Sequence, residues 1–341
     1  MAEEINEEWL SQLSEADLKD LEAKPKSQAE KAWNRLVCFF PVLASLLHLL
    51  EYLYVPNHPG NANTYLYAGF IGIFLAYFLV RGIWAQVSDD QFRRWRRAAP
   101  FQSLIFILLM IYDLLTLKTA TLLLPYFPWA DKILNAMIAD AAFLAESASA
   151  SISLLFQGFI IGAVLGIVTG VFSGYNKKIN YWISPFVTVI GSIPTTTWIP
   201  IVMVLAASLQ KGAMFIIALG VFFSLHNATF SGVNQIDKAY YSVAKTLGAS
   251  QRQLISSVTV PAMLPTVFSG LIQGMSTACT SLIVAEMMGV ESGLGFYITW
   301  QKNWAEYDKM YAGIIVICVL FLAVHFILNW LSDRTLKWKE D

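Results

Sequence analysis

The chain alternates between long apolar runs and short polar segments. A membrane crossing needs about 20 mostly apolar residues, and eight runs qualify: 35–55, 65–84, 102–124, 150–173, 183–206, 212–231, 262–287 and 311–332. The first is interrupted by His48 and Glu51, and the third by Asp113. The fifth holds Pro194 and Pro200, which predicts a broken or kinked helix. In the fourth run and just beyond it glycine recurs every fourth residue, at Gly158, Gly162, Gly166, Gly170 and Gly174. A sparser version, Gly270, Gly274 and Ala278, occupies the seventh. A four-residue step stays on one helix face, so both predict bare grooves for close helix packing. Such smooth faces also allow sliding.

Composition agrees with this pattern. Charged residues are 14% of the chain, against about 25% in average soluble proteins. Apolar residues are 56% and mean hydropathy is +0.54. The formal net charge is −1, which gives no basic face for nucleic acid. Cys38, Cys279 and Cys318 each stand alone in apolar runs and read as small core residues. Basic residues gather in every second loop: Arg93, Arg94, Arg96 and Arg97; Lys177 and Lys178; Lys238, Lys245 and Arg252; and the tail with Arg334, Lys337 and Lys339. Segments 56–64, 125–149 and 207–211 hold one basic residue or none, and 288–310 holds Lys302 and Lys309. The positive-inside bias therefore predicts an even number of spans with both termini cytoplasmic. Residues 1–30 are acidic, unlike the basic start of a signal peptide, and read as a cytoplasmic arm.

The segment 232–261 is more than a linker. Ile236, Tyr240, Val243, Ala244 and Leu247 follow helical spacing, with Asp237 placed to cap their start. Gly248 interrupts this helix and a second stretch runs from Gln251 to Val260, ahead of Pro261. The predicted form is helix–Gly–helix, its apolar face lying either on the protein's own base or against a partner.

These residues carry a resemblance. Ser242-Val243-Ala244-Lys245-Thr246-Leu247-Gly248-Ala249, followed at the right distance by Val258-Thr259-Val260-Pro261, resembles the EAA loop of binding-protein-dependent ABC importer permeases. Ser192-Ile193-Pro194-Thr195-Thr196-Thr197-Trp198-Ile199-Pro200 and Ala285-Glu286-Met287-Met288-Gly289, with Ser292-Gly293-Leu294-Gly295 beyond, are similar to the nitrate, sulfonate, taurine and bicarbonate branch. Ser242 stands where the motif has an acidic residue, and Val260 where it has leucine.

The resemblance implies an all-α integral membrane protein, a type I ABC importer transmembrane domain of about eight helices. Six of these would form the permease core at 101–341. The other two would be added within 31–100, after the arm 1–30. It also implies a bacterial inner-membrane location, a second permease copy in a homodimer, two ATPase subunits carrying ATP and Mg, and an extracytoplasmic solute-binding protein. Tyr240, Ser242, Val243, Ala244, Leu247, Gly248, Ala249 and Pro261, within the coupling loop 237–261, would meet the ATPase. The implied cargo is a small anionic or zwitterionic solute. Alternatives are another solute, such as a vitamin precursor or metal complex, and a scaffold that kept the fold without transport.

Pro194, Thr195, Thr196, Thr197, Trp198, Pro200 and Glu286 are the candidate pathway and gate residues. Three hydroxyls beside a helix break suit a polar solute, while Trp198 reads equally as a core aromatic. Glu286 reads either as an outer gate or as a hydrogen-bonded carboxylate fixing the next loop. His226, Asn227, Asp113 and His325 read as packing polar groups. There is no GxxxxGK[ST] phosphate loop. The four histidines fall in four segments without metal-ligand spacing, so no metal, cofactor or catalytic site is expected in this chain.

Overall fold

The computed structural model describes residues 28–336, so most of the acidic arm and the tail lysines 337 and 339 lie outside the described residues. Every described element is helical. The chain divides into two compact units, one of residues 1–124 with 128–131 and one of 125–127 with 132–341.

The first unit contains α1 (Gln28–Val37), α2 (Phe40–Tyr54), α3 (Leu66–Trp84) and α4 (Asp89–Asp113), the last running into a wide π turn, Leu114–Lys118. Pro41 sits in the first turn of α2, where its missing N–H costs nothing. Asp89 and Asp90 open α4, favourable to its positive N-terminal end. α2 packs on α3 and α4; the Tyr52 ring of α2 meets Tyr67 of α3 at 5.4 Å between centroids, and Phe78 of α3 meets Phe106 of α4 at 5.3 Å. The Trp95 indole N–H donates to the Cys38 carbonyl at 2.9 Å. The units divide at 124–132, and α4 is one continuous helix packed on α2.

The second unit holds α5 (Ala130–Ala139, from Lys132 onward), α6 (Ala141–Tyr175), α7 (Lys177–Gly191), α8 (Ile199–Leu205) and α9 (Leu209–Asn234). After these come α10 (Lys238–Thr246), α11 (Val260–Met288), α12 (Leu294–Asn303) and α13 (Tyr307–Thr335). α9 lies between α6 and α11. On the α6 side the glycine stripe meets it step by step: Gly158 faces Ile217, Gly162 faces Ala218 and Val221, Gly166 faces Leu225, Gly170 faces Thr229 and Gly174 faces Val233. A methyl group at Gly158 would lie 2.7 Å from the Ile217 Cβ, and at Gly174 2.7 Å from the Val233 Cβ. On the α11 side Gly270 meets Ala228, whereas Gly274 has ordinary contact distances to Val221 and Ser224. The main core, with Leu155, Ile217, Val221, Leu225, Met275 and Leu282, fills these two seams.

A second cluster, Ile133, Leu144, Leu294, Tyr297, Ile298 and Ala312, joins α5, α6, α12 and α13. Lys309 rims it with ion pairs to Asp140 at 3.7 Å and Glu306 at 2.6 Å. Tyr297 donates to Asp140 at 3.0 Å; burial and then this bond push its hydroxyl above the usual phenol range.

Among the described residues, six helical stretches are individually long and apolar enough to cross a membrane: Leu66–Trp84, Asp89–Lys118, Ala141–Tyr175, Leu209–Asn234, Gln251–Met288 and Tyr307–Thr335. Two bent pairs, α1–α2 at 44° and α7–α8 at 84°, bring the number to eight if each is one span. The second pair breaks at Pro194, as the proline spacing predicts.

Candidate functional site

The break between α7 and α8 is a short 3₁₀ turn, Thr195–Trp198. Pro194 precedes it in an extended conformation, and Pro200 restarts the helix in the first turn of α8. Gly220 on α9 lets the turn come close, since a methyl group there would lie 3.4 Å from the Thr195 Oγ1 and 2.8 Å from the Thr277 Cγ2. Thr195 and Ser281 of α11 share a hydrogen bond at 3.2 Å.

Beside this turn lies a groove of about 660 Å³. Pro194, Thr195 and Thr196 line one wall. Ser224 and Asn227 on α9, with Gln273, Thr277 and Thr280 on α11, supply the rest of its polar face. Its described lining carries hydroxyls and amides and no charged side chain. Thr197, Trp198 and Pro200 are outside the lining; Trp198 packs instead against the main core with its indole N–H buried and unpartnered.

The α9 and α11 contributions were not picked out from the sequence. The available signal was the run Gln273, Ser276, Thr277, Thr280, Ser281, polar at steps of three and four along one helix face. It is muted because Ser224, Ser276, Thr277 and Thr280 each donate to a carbonyl four residues back in their own helix. Such hydroxyls sit in an apolar helix without an unmet hydrogen bond.

Glu286 lies elsewhere. It is 2% exposed, accepting from the Ser151 hydroxyl at 2.7 Å and the Gly295 N–H at 2.8 Å. Ser151 in turn accepts from the Leu294 N–H at 2.8 Å. Gly293, at φ +100°, and Gly295 approach so closely that a side chain at either would run into Glu286. The carboxylate thus pins the corner between α11 and α12. Glu286→Ala would leave the Ser151 and Gly295 donors unpaired, at about 1–3 kcal/mol. A thermal-unfolding series in detergent is expected to rank Glu286→Ala well below Glu286→Gln, which keeps one acceptor.

At the other end of α9, Asp237 accepts from the Ala239 N–H at 2.9 Å and starts α10. α10 ends at Gly248, at φ +81°, where its N–H donates to the Lys245 carbonyl at 2.9 Å and the Ala249 N–H to Ala244 at 3.0 Å. That bond pair is a Schellman cap, and it needs a left-handed residue at Gly248. Ser250 and Gln253 then form a capping box for the next helical turn.

The stripe expected to form one apolar face is divided. Tyr241 and Ala244 turn inward, with the Tyr241 and Thr259 hydroxyls 3.0 Å apart. The Tyr175 hydroxyl at the end of α6 donates to Gln251 at 2.6 Å. Tyr240, Val243 and Leu247 face out, at 66%, 59% and 82% exposure. Ser242 is also exposed, its hydroxyl donating to the Lys238 carbonyl. Tyr240 and Pro261 border a cavity of about 620 Å³ between α10 and the start of α11.

Six membrane-length helices, a glycine-packed core and an exposed helical elbow together define a multi-span helical membrane component. The family described as binding-protein-dependent transport system inner membrane component matches residues 162–337, and the chain belongs to it. A protein described as a candidate aliphatic sulfonates transport permease, SsuC of Bacillus subtilis, is 30% identical over 182 residues, 53% of this chain and 66% of that one. The bicarbonate transport system permease protein CmpB of Synechococcus elongatus is 31% identical over 191 residues, 55% of this chain and 66% of its own length. The nitrate import permease protein NrtB of the same species is 28% identical, over 53% of this chain and 60% of that one. The chain thus spans about two thirds or less of the length of these three relatives.

Proposed function

We propose that this chain is the membrane path of an ABC importer for a small anionic or zwitterionic solute, non-catalytic itself and driven by a separate ATPase. The observation that carries this reading is the uncharged polar groove beside the broken helix, on helices that are otherwise apolar. Hydroxyls and amides can take over part of a solute's hydration without holding it as tightly as a lysine or arginine would, which suits passage rather than storage. The names of the sulfonate, bicarbonate and nitrate relatives support this solute class.

In this reading a second copy closes the groove. An external binding protein delivers the solute, and the exposed face of Tyr240, Val243 and Leu247 docks on the ATPase from the cytosol. Closure of two ATPases would move the elbow as a rigid body and open the path alternately to either side. The basic loops support cytoplasmic termini.

The reading is tested by solute uptake into proteoliposomes holding the assembled complex. Paired substitutions Thr195→Val and Gln273→Leu are expected to lower uptake at least tenfold, with assembly and basal ATP hydrolysis retained. Wild-type uptake by the pair would remove the groove from the path.

A further inference from the structure

In the first unit, the charges that interrupt two apolar runs meet. His48 and Glu51 are three residues apart and so share a face of α2. Asp113 ends α4, which packs on α2. One ligand atom from each of the three lies within 4.8 Å of the others. His48 and Asp113 are fully buried; Glu51 is partly covered, but both its carboxylate oxygens are buried. No donor from any other side chain or from the backbone reaches the two imidazole nitrogens or the four carboxylate oxygens; the Glu51 and Asp113 carboxyls face each other closely enough to share a proton. Tyr67, whose ring meets that of His48 edge-on at 5.4 Å, also has a buried, unpartnered hydroxyl.

Such a group is costly in an apolar setting unless something satisfies it. Lys118 does not. Its ammonium donates to the Tyr52 and Val55 carbonyls and the Asn57 side chain, at 2.8, 2.8 and 2.9 Å, which takes all three of its protons. The helix shifts to a π turn directly after Asp113, an irregularity common at functional sites.

We propose that His48, Glu51 and Asp113 form a binding site for a divalent transition-metal ion of the zinc class, clipping α2 to α4. The donor set is one imidazole and two carboxylates, which zinc accepts at about 2.0–2.2 Å; ligands on such a tetrahedron stand roughly 3.4 Å apart. The ion's double charge balances the two carboxylates. Sequence spacing alone does not reveal the site, because Asp113 reaches it only through the packing of α4 on α2.

The full-length chain in detergent, stripped and then dialysed against zinc chloride, is expected to retain about one zinc ion per chain by elemental analysis. Zinc should raise its Tm and EDTA reverse the rise. Glu51→Gln should weaken zinc binding at least ~10–100-fold, by comparison with changes around known sites. Because ligand variants can fail to fold, the wild-type chain is also loaded with cobalt(II), whose visible spectrum reports imidazole and carboxylate coordination. Three results each overturn the proposal: no such spectrum in the wild type; equal zinc in the wild type and a folded His48→Ala/Glu51→Gln/Asp113→Asn variant; or an infrared band of a protonated carboxylic acid that persists with zinc and disappears in Glu51→Gln, the mark of two carboxylates sharing a proton.

Discussion

Replacing Gly248 by valine is expected to abolish solute-stimulated ATP hydrolysis while leaving the membrane core folded. Gly248 sits at φ +81°, with open space around the position its side chain would take. The penalty is therefore conformational rather than steric. Holding a non-glycine residue left-handed costs roughly 1–2 kcal/mol, and more for a β-branched one. The local alternative is to give up the two cap bonds to Lys245 and Ala244, which would swing α10 away from the turn that follows. Either way the exposed face of Tyr240, Val243 and Leu247 changes its angle to whatever grips it. Gly248→Asn, which tolerates the left-handed region better, should retain much of the coupling. Hydrolysis assays on reconstituted complexes, with and without solute, measure both.

The second large effect is expected at Gly162. A side chain there would run into the Ala218 carbonyl, with the Val221 Cβ at 2.8 Å, at a seam where α6 and α9 touch along their backbones. Overpacking of this kind typically costs about 1–3 kcal/mol. Here the repulsion meets backbone rather than a flexible side chain, so Gly162→Leu should sit at the top of that range or beyond it. The expected outcome is loss of a monodisperse peak in detergent. Gly274→Ala, at a roomier point of the α11 seam than Gly270, should be nearly neutral, because the nearest atom to the added methyl is 3.5 Å away. Thermal unfolding of the two variants side by side separates the tight contact from the roomy one.

Much of the fold is legible in the sequence, for identifiable reasons. Lipid makes apolar length a direct signal, so the eight runs reappear as six single helices and two bent pairs, one of them broken at Pro194. The four-residue glycine step states helix contact without ambiguity, and α9 indeed lies along it. The elbow is legible as well, since Asp237 and Gly248 have few roles other than capping.

Side chains whose meaning depends on a neighbour are harder to read. The stripe of Ile236, Tyr240, Val243, Ala244 and Leu247 reads as one face, yet Ile236 and Ala244 are partly covered, alongside Tyr241, while Tyr240, Val243 and Leu247 are exposed. Glu286 and the glycines at 293 and 295 form one packed corner, visible only once α12 folds back. The hydroxyls of Ser224, Thr277 and Thr280 look inert because each satisfies itself on its own helix; their joint face toward Thr195 and Thr196 is a tertiary fact. The same holds for His48, Glu51 and Asp113, which look like three isolated flaws until α2 and α4 pack.

The central claim is that this chain contributes a path and a lever, and that the motive power enters through the elbow at Gly248. A photo-crosslinking amino acid in place of Leu247, which is 82% exposed, tests this most directly in intact cells. The account predicts one dominant adduct, with a nucleotide-hydrolysing chain, whose yield changes when ATP is depleted. A position 247 reached only by reagents added outside the cell, or adducts that contain no nucleotide-binding protein, would contradict it.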